Sequence, residues 1–190
     1  MPRRMRPLST AAQPLRVEYF REPEVSEQLD RELRELISGC FPQPRTAFFR
    51  ERRYAHEMPL HRYLMRDESG SLVGHLAVHE KVIGVAHADL AIGGMAEMCV
   101  HVSQRGRGRA KELLALAHRG LQDRGFTFAF LFGDAELYTS SGYRPLSASI
   151  RRFNPAEQVF ETGPSLVARY KPLTERAWPE GPVDLRGPMF

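Results

Sequence analysis

Cysteine is scarce in this chain. Only Cys40 and Cys99 occur in 190 residues, far apart in sequence and each in apolar surroundings. That excludes a disulfide framework and leads us to expect buried free thiols in a reducing compartment. No apolar run reaches the length of a membrane span, because Asp89 and Glu97 interrupt the best candidate, Val82 to Val102. The opening stretch, MPRRMRPLSTAAQPLR, has no acidic residue and no apolar centre, so it is not a secretory signal. An organellar presequence and a short disordered tail both suit that composition; residues 1–14 are assigned to a disordered basic tail. Internal repeats, low-complexity tracts and a second-domain linker are missing. The expectation is one domain over residues 15–190, large enough to bury a real core.

Charge of one sign is also limited. The net charge of +4 and pI near 9.3 favour an anionic ligand but are too small to argue for nucleic acid. A single-strand nucleic-acid surface would interleave aromatic and basic residues on an exposed strand. Here the aromatic residues concentrate in Phe126–Phe132, FTFAFLF, which reads as core.

What the chain does have is a stretch from Glu97 to Glu112, EMCVHVSQRGRGRAKE. An apolar segment, Met98 to Val102, leads into a glycine-punctuated turn, Gln104 to Arg109, and then into an amphipathic helix. Strand, Gly-rich turn and helix together place unpaired backbone N–H groups around one anionic group. Gly106 and Gly108 let the main chain turn tightly and let a phosphate approach it. Arg105, Arg107, Arg109 and Lys111 add positive charge, so the turn reads as a pyrophosphate cradle. Taken alone, it reads equally well as an exposed arginine-rich turn. No Walker loop is present, and Lys111 stands where a dinucleotide fingerprint needs its third glycine.

Leu15–Phe20 alternates and predicts a first strand. Val25, Leu29, Leu33, Leu36 and Ile37 have helical spacing, closed by Gly39. Phe41–Tyr54 is a basic-aromatic loop with a short helix, of the kind that forms one wall of an acceptor site. His61–Arg66 and Ser71–Val78 flank a turn and predict a hairpin. Val82–Leu90 reads as a further strand, with Gly93-Gly94 as a bend. Ala110, Leu113, Leu114, Ala117 and Leu121 mark one face of a helix ended by Asp123-Arg124-Gly125. Phe126–Phe132 fits a strand buried on both faces, with Phe128 and Phe130 on one and Thr127, Ala129 and Leu131 on the other. A right-handed βαβ unit would then surround the cradle. Gly133–Tyr143 reads as a short helix stopped by Gly142, and Ser147–Phe153 and Ser165–Tyr170 as late strands. The tail from Trp178 to Phe190 is rich in Pro and Gly.

These motifs resemble the GNAT superfamily of acyl-CoA N-acyltransferases. That family carries Arg/Gln-x-x-Gly-x-Gly/Ala at a strand-to-helix turn, matched by Arg105, Gly108 and Ala110. About 25 residues on it carries a segment similar to GDPxxYxxxGF, matched by Gly133-Asp134-Ala135, Tyr138 and Gly142-Tyr143; two motifs at this separation are far more specific than either alone. His75–Gly106 is similar, without gaps, to a segment of aminoglycoside 2′-N-acetyltransferases and of the rhizobial nodulation acyltransferase. LQDRGFTFAF and WPEGPVDLRGP also resemble the nodulation enzyme. The resemblance implies an α/β (α+β) fold with a mixed, splayed central sheet and helices on both faces. It implies acyl transfer from acetyl-CoA, or another acyl-CoA, to a primary amine of a small molecule in a ternary complex. It places CoA contacts at Met98, Val100, His101, Val102, Arg105, Gly106, Arg107, Gly108, Arg109, Ala110, Lys111 and Tyr138. Neither nucleic acid nor a membrane is an expected partner; the setting is cytoplasmic, and a homodimer is left open. A long-chain acyl donor and a non-catalytic CoA sensor are the alternative readings.

The chemistry needs a base for the amine, a donor for the developing oxyanion and a proton for the departing thiolate. A backbone N–H near Val100 suits the second. Tyr138, matching the family's tyrosine, suits the third. Glu97 is the only carboxylate on the central strand and so the candidate base, with an ordered water as the alternative. Yet the 2′-acetyltransferases' strand carboxylate falls on Ala96 in the ungapped match. A one-residue slip turns a strand side chain to the other face unless a bulge restores it. His75 and His79 would lie about 13 Å apart along one strand face, so no metal site is expected. The 2′-acetyltransferase branch keeps its chain end near the acceptor, which makes the Trp178–Phe190 tail a candidate wall.

Overall fold

Alternating residues give β1 (Arg16–Arg21), which pairs antiparallel with β2 (His61–Arg66). The computed structural model describes residues 15–133 and 136–190. The expected tail over residues 1–14 and the Asp134-Ala135 part of the second motif lie outside them. Between these strands, α1 (Glu27–Cys40) starts at Ser26, whose side chain accepts from the Leu29 N–H at 3.2 Å. Its helical face, Leu29, Leu33, Leu36 and Ile37, is buried as the spacing predicted. Gly39 does not close the helix, which runs one residue further. The stop comes from Pro42, which biases Phe41 away from helical angles; Phe41 has φ −120° and ψ 70°. A short 3-10 helix, Pro44–Arg50, follows within the predicted basic-aromatic loop.

The remaining elements are β3 (Leu72–Val85), β4 (Ala88–Val100), α2 (Arg109–Asp123), β5 (Phe128–Phe132), α3 (Glu136–Ser140), β6 (Arg144–Pro145), β7 (Ser149–Asn154), β8 (Val159–Pro164), β9 (Ala168–Pro172) and β10 (Val183–Asp184). They form one mixed sheet in the order β6-β9-β5-β4-β3-β10-β7-β8, with β2 and β1 added beside β3. β4 and β5 are parallel and joined through α2; the other neighbours are antiparallel except β10 with β7.

Two expectations fail around β3 and β4. Val82–Leu90 is not a separate strand: it spans the end of β3, a two-residue turn and the start of β4. Ala86 and His87 make that turn with φ of 47° and 73°, a left-handed pair normally supplied by Asn-Gly, so the sequence carries no signal for it. Gly93-Gly94 is no bend either, since both residues lie inside β4. A Cβ at Gly93 would collide with Leu121 of α2, and one at Gly94 with the Phe190 ring. These glycines permit close approach on opposite faces of the strand.

The helices cover both faces. Leu64 of β2 packs with α1, while its neighbours Tyr63 and Met65 pack with Leu113, Leu114 and Leu121 of α2. β5 divides in the same way. Ala129 and Leu131 join the α2 core, and Phe128 and Phe130, both fully buried, face the opposite core with Ile92 and Trp178. The tail is ordered into the sheet through β10, and Phe190 packs on His79, Phe130 and Phe132. β8 escaped sequence reading because it is a largely exposed strand carrying Gly163 and Pro164, which break the alternating pattern.

Candidate active site

The β4–β5 ladder stops early. Gly93, Gly94 and Met95 pair with Ala129, Phe130 and Leu131, and no pairing continues beyond Met95 and Leu131 among the described residues. The strands diverge there, and a cavity of about 270 Å³ opens between them. Its walls are Met95, Ala96, Glu97 and Met98 of β4, Leu131 and Phe132 of β5, Tyr138 of α3, and Phe190. Phe41, Thr46, Phe48, Phe49 and Ala55 close the side formed by the α1–β2 connection.

Glu97 reaches this cavity through a β-bulge. Ala96 sits opposite Ala77 and Cys99 opposite His75, so Glu97 and Met98 together face only Leu76. Glu97 has φ +45°, a strained angle for a residue with a side chain. Two hydrogen bonds hold it. The Ala55 N–H donates to Glu97 Oε1 at 2.9 Å, and the Glu97 carbonyl accepts from His75 Nδ1 at 3.0 Å. The other carboxyl oxygen, Oε2, is buried without a partner among the described residues. Burial pushes the Glu97 carboxyl up to about 7; the Ala55 hydrogen bond and the Arg62 charge only partly oppose it.

The support of this bulge is a buried polar chain that sequence reading missed. Arg62 Nη1 donates to His75 Nε2 at 2.9 Å, so His75 carries its proton on Nδ1 and points it at Glu97. Burial, with Arg62 beside it, holds His75 well below the usual imidazole range, hence neutral. Arg62 is fully buried and bonds Glu22 Oε2 at 2.5 Å; Glu22 also binds Arg53, which reaches Asp30 on α1 at 2.6 Å. A charged residue inside β2 was the one available signal for such a pair, since Arg is rarely buried without a partner. Among the described residues no group of three or more potential metal ligands comes together.

Beyond the bulge, the His101 N–H donates to Val73 O at 2.8 Å while Gly74 faces Val100. In an antiparallel ladder that register turns the Val100 N–H and C=O away from β3, toward the open edge. Arg105 Nε donates to this carbonyl at 3.1 Å.

The strand leads into a second cavity, of about 400 Å³, lined by Val100, Gln104, Arg105, Gly106, Gly108, Arg109, Ala110, Lys111 and Leu137. Gly106 and Gly108 have φ of +72° and +77°, and a Cβ on either would project into open space. The first helical bond of α2 joins the Glu112 N–H to Gly108 O at 3.1 Å. The N–H groups of Arg109, Ala110 and Lys111 therefore have no helical acceptor. Arg109 Nε and Gln104 Oε1 are buried at the same place without partners among the described residues. Left-handed glycines, orphan donors and clustered cations fit a pyrophosphate. Gly108→Asp should preserve the fold, because Asp tolerates this backbone region, yet put a carboxylate where the anion approaches. CoA affinity should fall about 10²-fold or more by calorimetry, with the circular dichroism unchanged; unchanged affinity would remove the cradle.

Leu137 lines the cradle and Tyr138 the apolar cavity, so α3 borders both. The Tyr138 ring meets Tyr143 edge-on at 6.0 Å, and burial raises its phenol above the usual value. His101 and Val102 point elsewhere, into a neighbouring cleft of about 590 Å³ with Cys40, Arg66 and Arg105. Both are exposed, because the chain leaves β4 after Val100 and turns into a 3-10 helix, Val102–Gln104. Arg107 reaches the outer side of the turn, beside Asp67 and Ser69. Cys40 and Cys99 are free, but Cys40 is only partly buried. A hydrogen bond from the Cys99 thiol, with Arg105 nearby, brings Cys40 down to about 6.

No helix among the described residues is long and apolar enough to cross a membrane. No curated protein matches the chain. The E. coli GNAT N-acetyltransferase YhbS, solved with CoA, superposes with a TM-score of 0.66 at 19% identity, over 94% of this chain and 92% of that one. A GNAT acetyltransferase from Brucella melitensis, solved with acetyl-CoA, gives 0.57 at 16% identity over 88% and 94%. E. coli ElaA gives 0.59 at 15% over 83% and 99%. These likenesses show the fold. The family model described as an acetyltransferase (GNAT) domain matches residues 24–146, from the start of α1 through the splayed strands, the cradle and α3. The chain belongs to the GNAT family of acyl-CoA-dependent acetyltransferases.

Proposed function

We propose that this chain acetylates the primary amine of a small molecule, with Glu97 as base and Tyr138 as acid. The observation that carries the reading is the Glu97 carboxyl, buried at a strained bulge with Oε2 unpartnered in a cavity that Tyr138 also lines. A carboxyl at about 7 is half ionised near neutral pH, where a base that must accept and release a proton works best. Tyr138, its phenol raised, keeps its proton until a thiolate needs it. The Val100 N–H on the open strand edge supplies a donor for developing oxygen charge.

Acetyl-CoA supplies an acyl group already activated as a thioester. The cradle residues Arg105, Gly106, Gly108, Arg109, Ala110 and Lys111 would hold its pyrophosphate, and Met98 and Val100 would flank the arm that leads from there to the apolar cavity. The similarity of His75–Gly106 to the aminoglycoside 2′-N-acetyltransferases and the nodulation acyltransferase supports a place beside those branches. The bulge, with Glu97 among the residues lining the cavity, supports Glu97 as the base despite its one-residue offset from the expected carboxylate.

A CoA-release assay with acetyl-CoA and with a long-chain acyl-CoA, each against an amine panel, tests the proposal. Release that depends on both acetyl-CoA and an amine is expected. CoA binding with no amine-dependent release would make the chain a sensor on the same fold.

A further inference from the structure

From the lining of the cavity we infer that the amine acceptor is a monocation with an apolar, aromatic-sized body, such as an arylalkylamine. This rests on the acyl-transfer reading above and names its substrate class. Among the described residues Glu97 is the only acidic side chain lining the cavity, and its Oε2 is buried there without a partner among them. One ammonium can be met there. The rest of the described lining is apolar apart from Thr46 and the Tyr138 phenol, with Phe41, Phe48, Phe49, Phe132 and Phe190 converging on the same space beside leucines, alanines and methionines.

The surroundings argue against a second positive charge on the acceptor. Arg52 sits over the Phe48 ring, 4.7 Å from its centroid, and approaches Tyr54 at 5.7 Å. Lys81, paired with Glu57 at 2.6 Å, lies 5.6 Å from the centroid of Phe190. Two rings of the lining are thus already faced by protein cations. A diamine or aminoglycoside would place its remaining ammonium groups against apolar walls or near those cations, with no second acidic side chain among the described lining residues to receive them. An apolar body instead gains by leaving water and packing on Phe48, whose centroid is 4.6 Å from that of Phe49.

The test compares kcat/KM for phenethylamine, ethylamine, spermidine and kanamycin at saturating acetyl-CoA, in the full chain and in Phe48→Ala. Phenethylamine should exceed ethylamine about 10²-fold, from the burial of one ring, and should exceed both polycations. Phe48→Ala should raise KM for phenethylamine about tenfold and leave that for ethylamine within about twofold. Phe48 is only partly buried, and a thermal melt on the variant confirms that the fold persists. Preference for spermidine or kanamycin, or equal use of ethylamine and phenethylamine, overturns this acceptor class while acyl transfer stands. No release with any amine overturns both together.

Discussion

Glu97→Gln should lower kcat/KM for the amine by about 10²–10⁴, the range for loss of a positioned base, with CoA affinity unchanged. The replacement is isosteric and its Oε1 can still accept from the Ala55 N–H, so the bulge persists. Stability should move the other way. The folded carboxyl titrates at about 7, above its unfolded value near 4.5, so the folded state holds a proton that the unfolded chain has released across that window. The neutral carboxyl is fully compatible with folding below about 4.5. As pH rises through about 7 the ionised group costs up to about 3 kcal/mol. The glutamine variant should therefore melt above the parent at pH 8.5 and close to it at pH 4.5. Thermal melts at both values check this. A variant equally weakened at both would show a structural carboxylate, not a poised base.

Tyr138→Phe separates an enzyme from a binding module. The ring packs edge-on against Tyr143 and under Gly133, and phenylalanine keeps those contacts. KM for acetyl-CoA should stay within about twofold while kcat falls about 10²–10⁴. Steady-state kinetics with one competent amine decides it. Turnover at the parent rate would make Tyr138 a core aromatic and leave the thiolate's proton to another source.

Local patterns made much of this visible in advance. The turn into α2 shows in sequence because its left-handed angles need glycine at two fixed positions, Gly106 and Gly108. β5 shows because a strand covered on both faces reads as an unbroken apolar run. Residues whose placement depends on distant contacts did not show. The face of Glu97 is set by a bulge held through His75, and His75 is held through Arg62 and Glu22, far away in the chain. The turn at Ala86-His87 uses left-handed angles at residues that do not advertise them. Gly93-Gly94 looked like a bend because the side chains that need the space, Leu121 and Phe190, arrive from later in the chain. Cys40 looked buried from its apolar neighbours, but it is the last residue of α1 and lies on a cleft wall.

The pH dependence of kcat/KM in the parent tests the central claim most directly, because it reads the protonation of the proposed base during turnover. With acetyl-CoA saturating and phenethylamine limiting, an acid limb with an apparent pKa near 7 is predicted. It should vanish in Glu97→Gln and stay distinct from the amine's own ionisation near ~10. An acid limb that persists unchanged in the glutamine variant would contradict the assignment of Glu97 as the base.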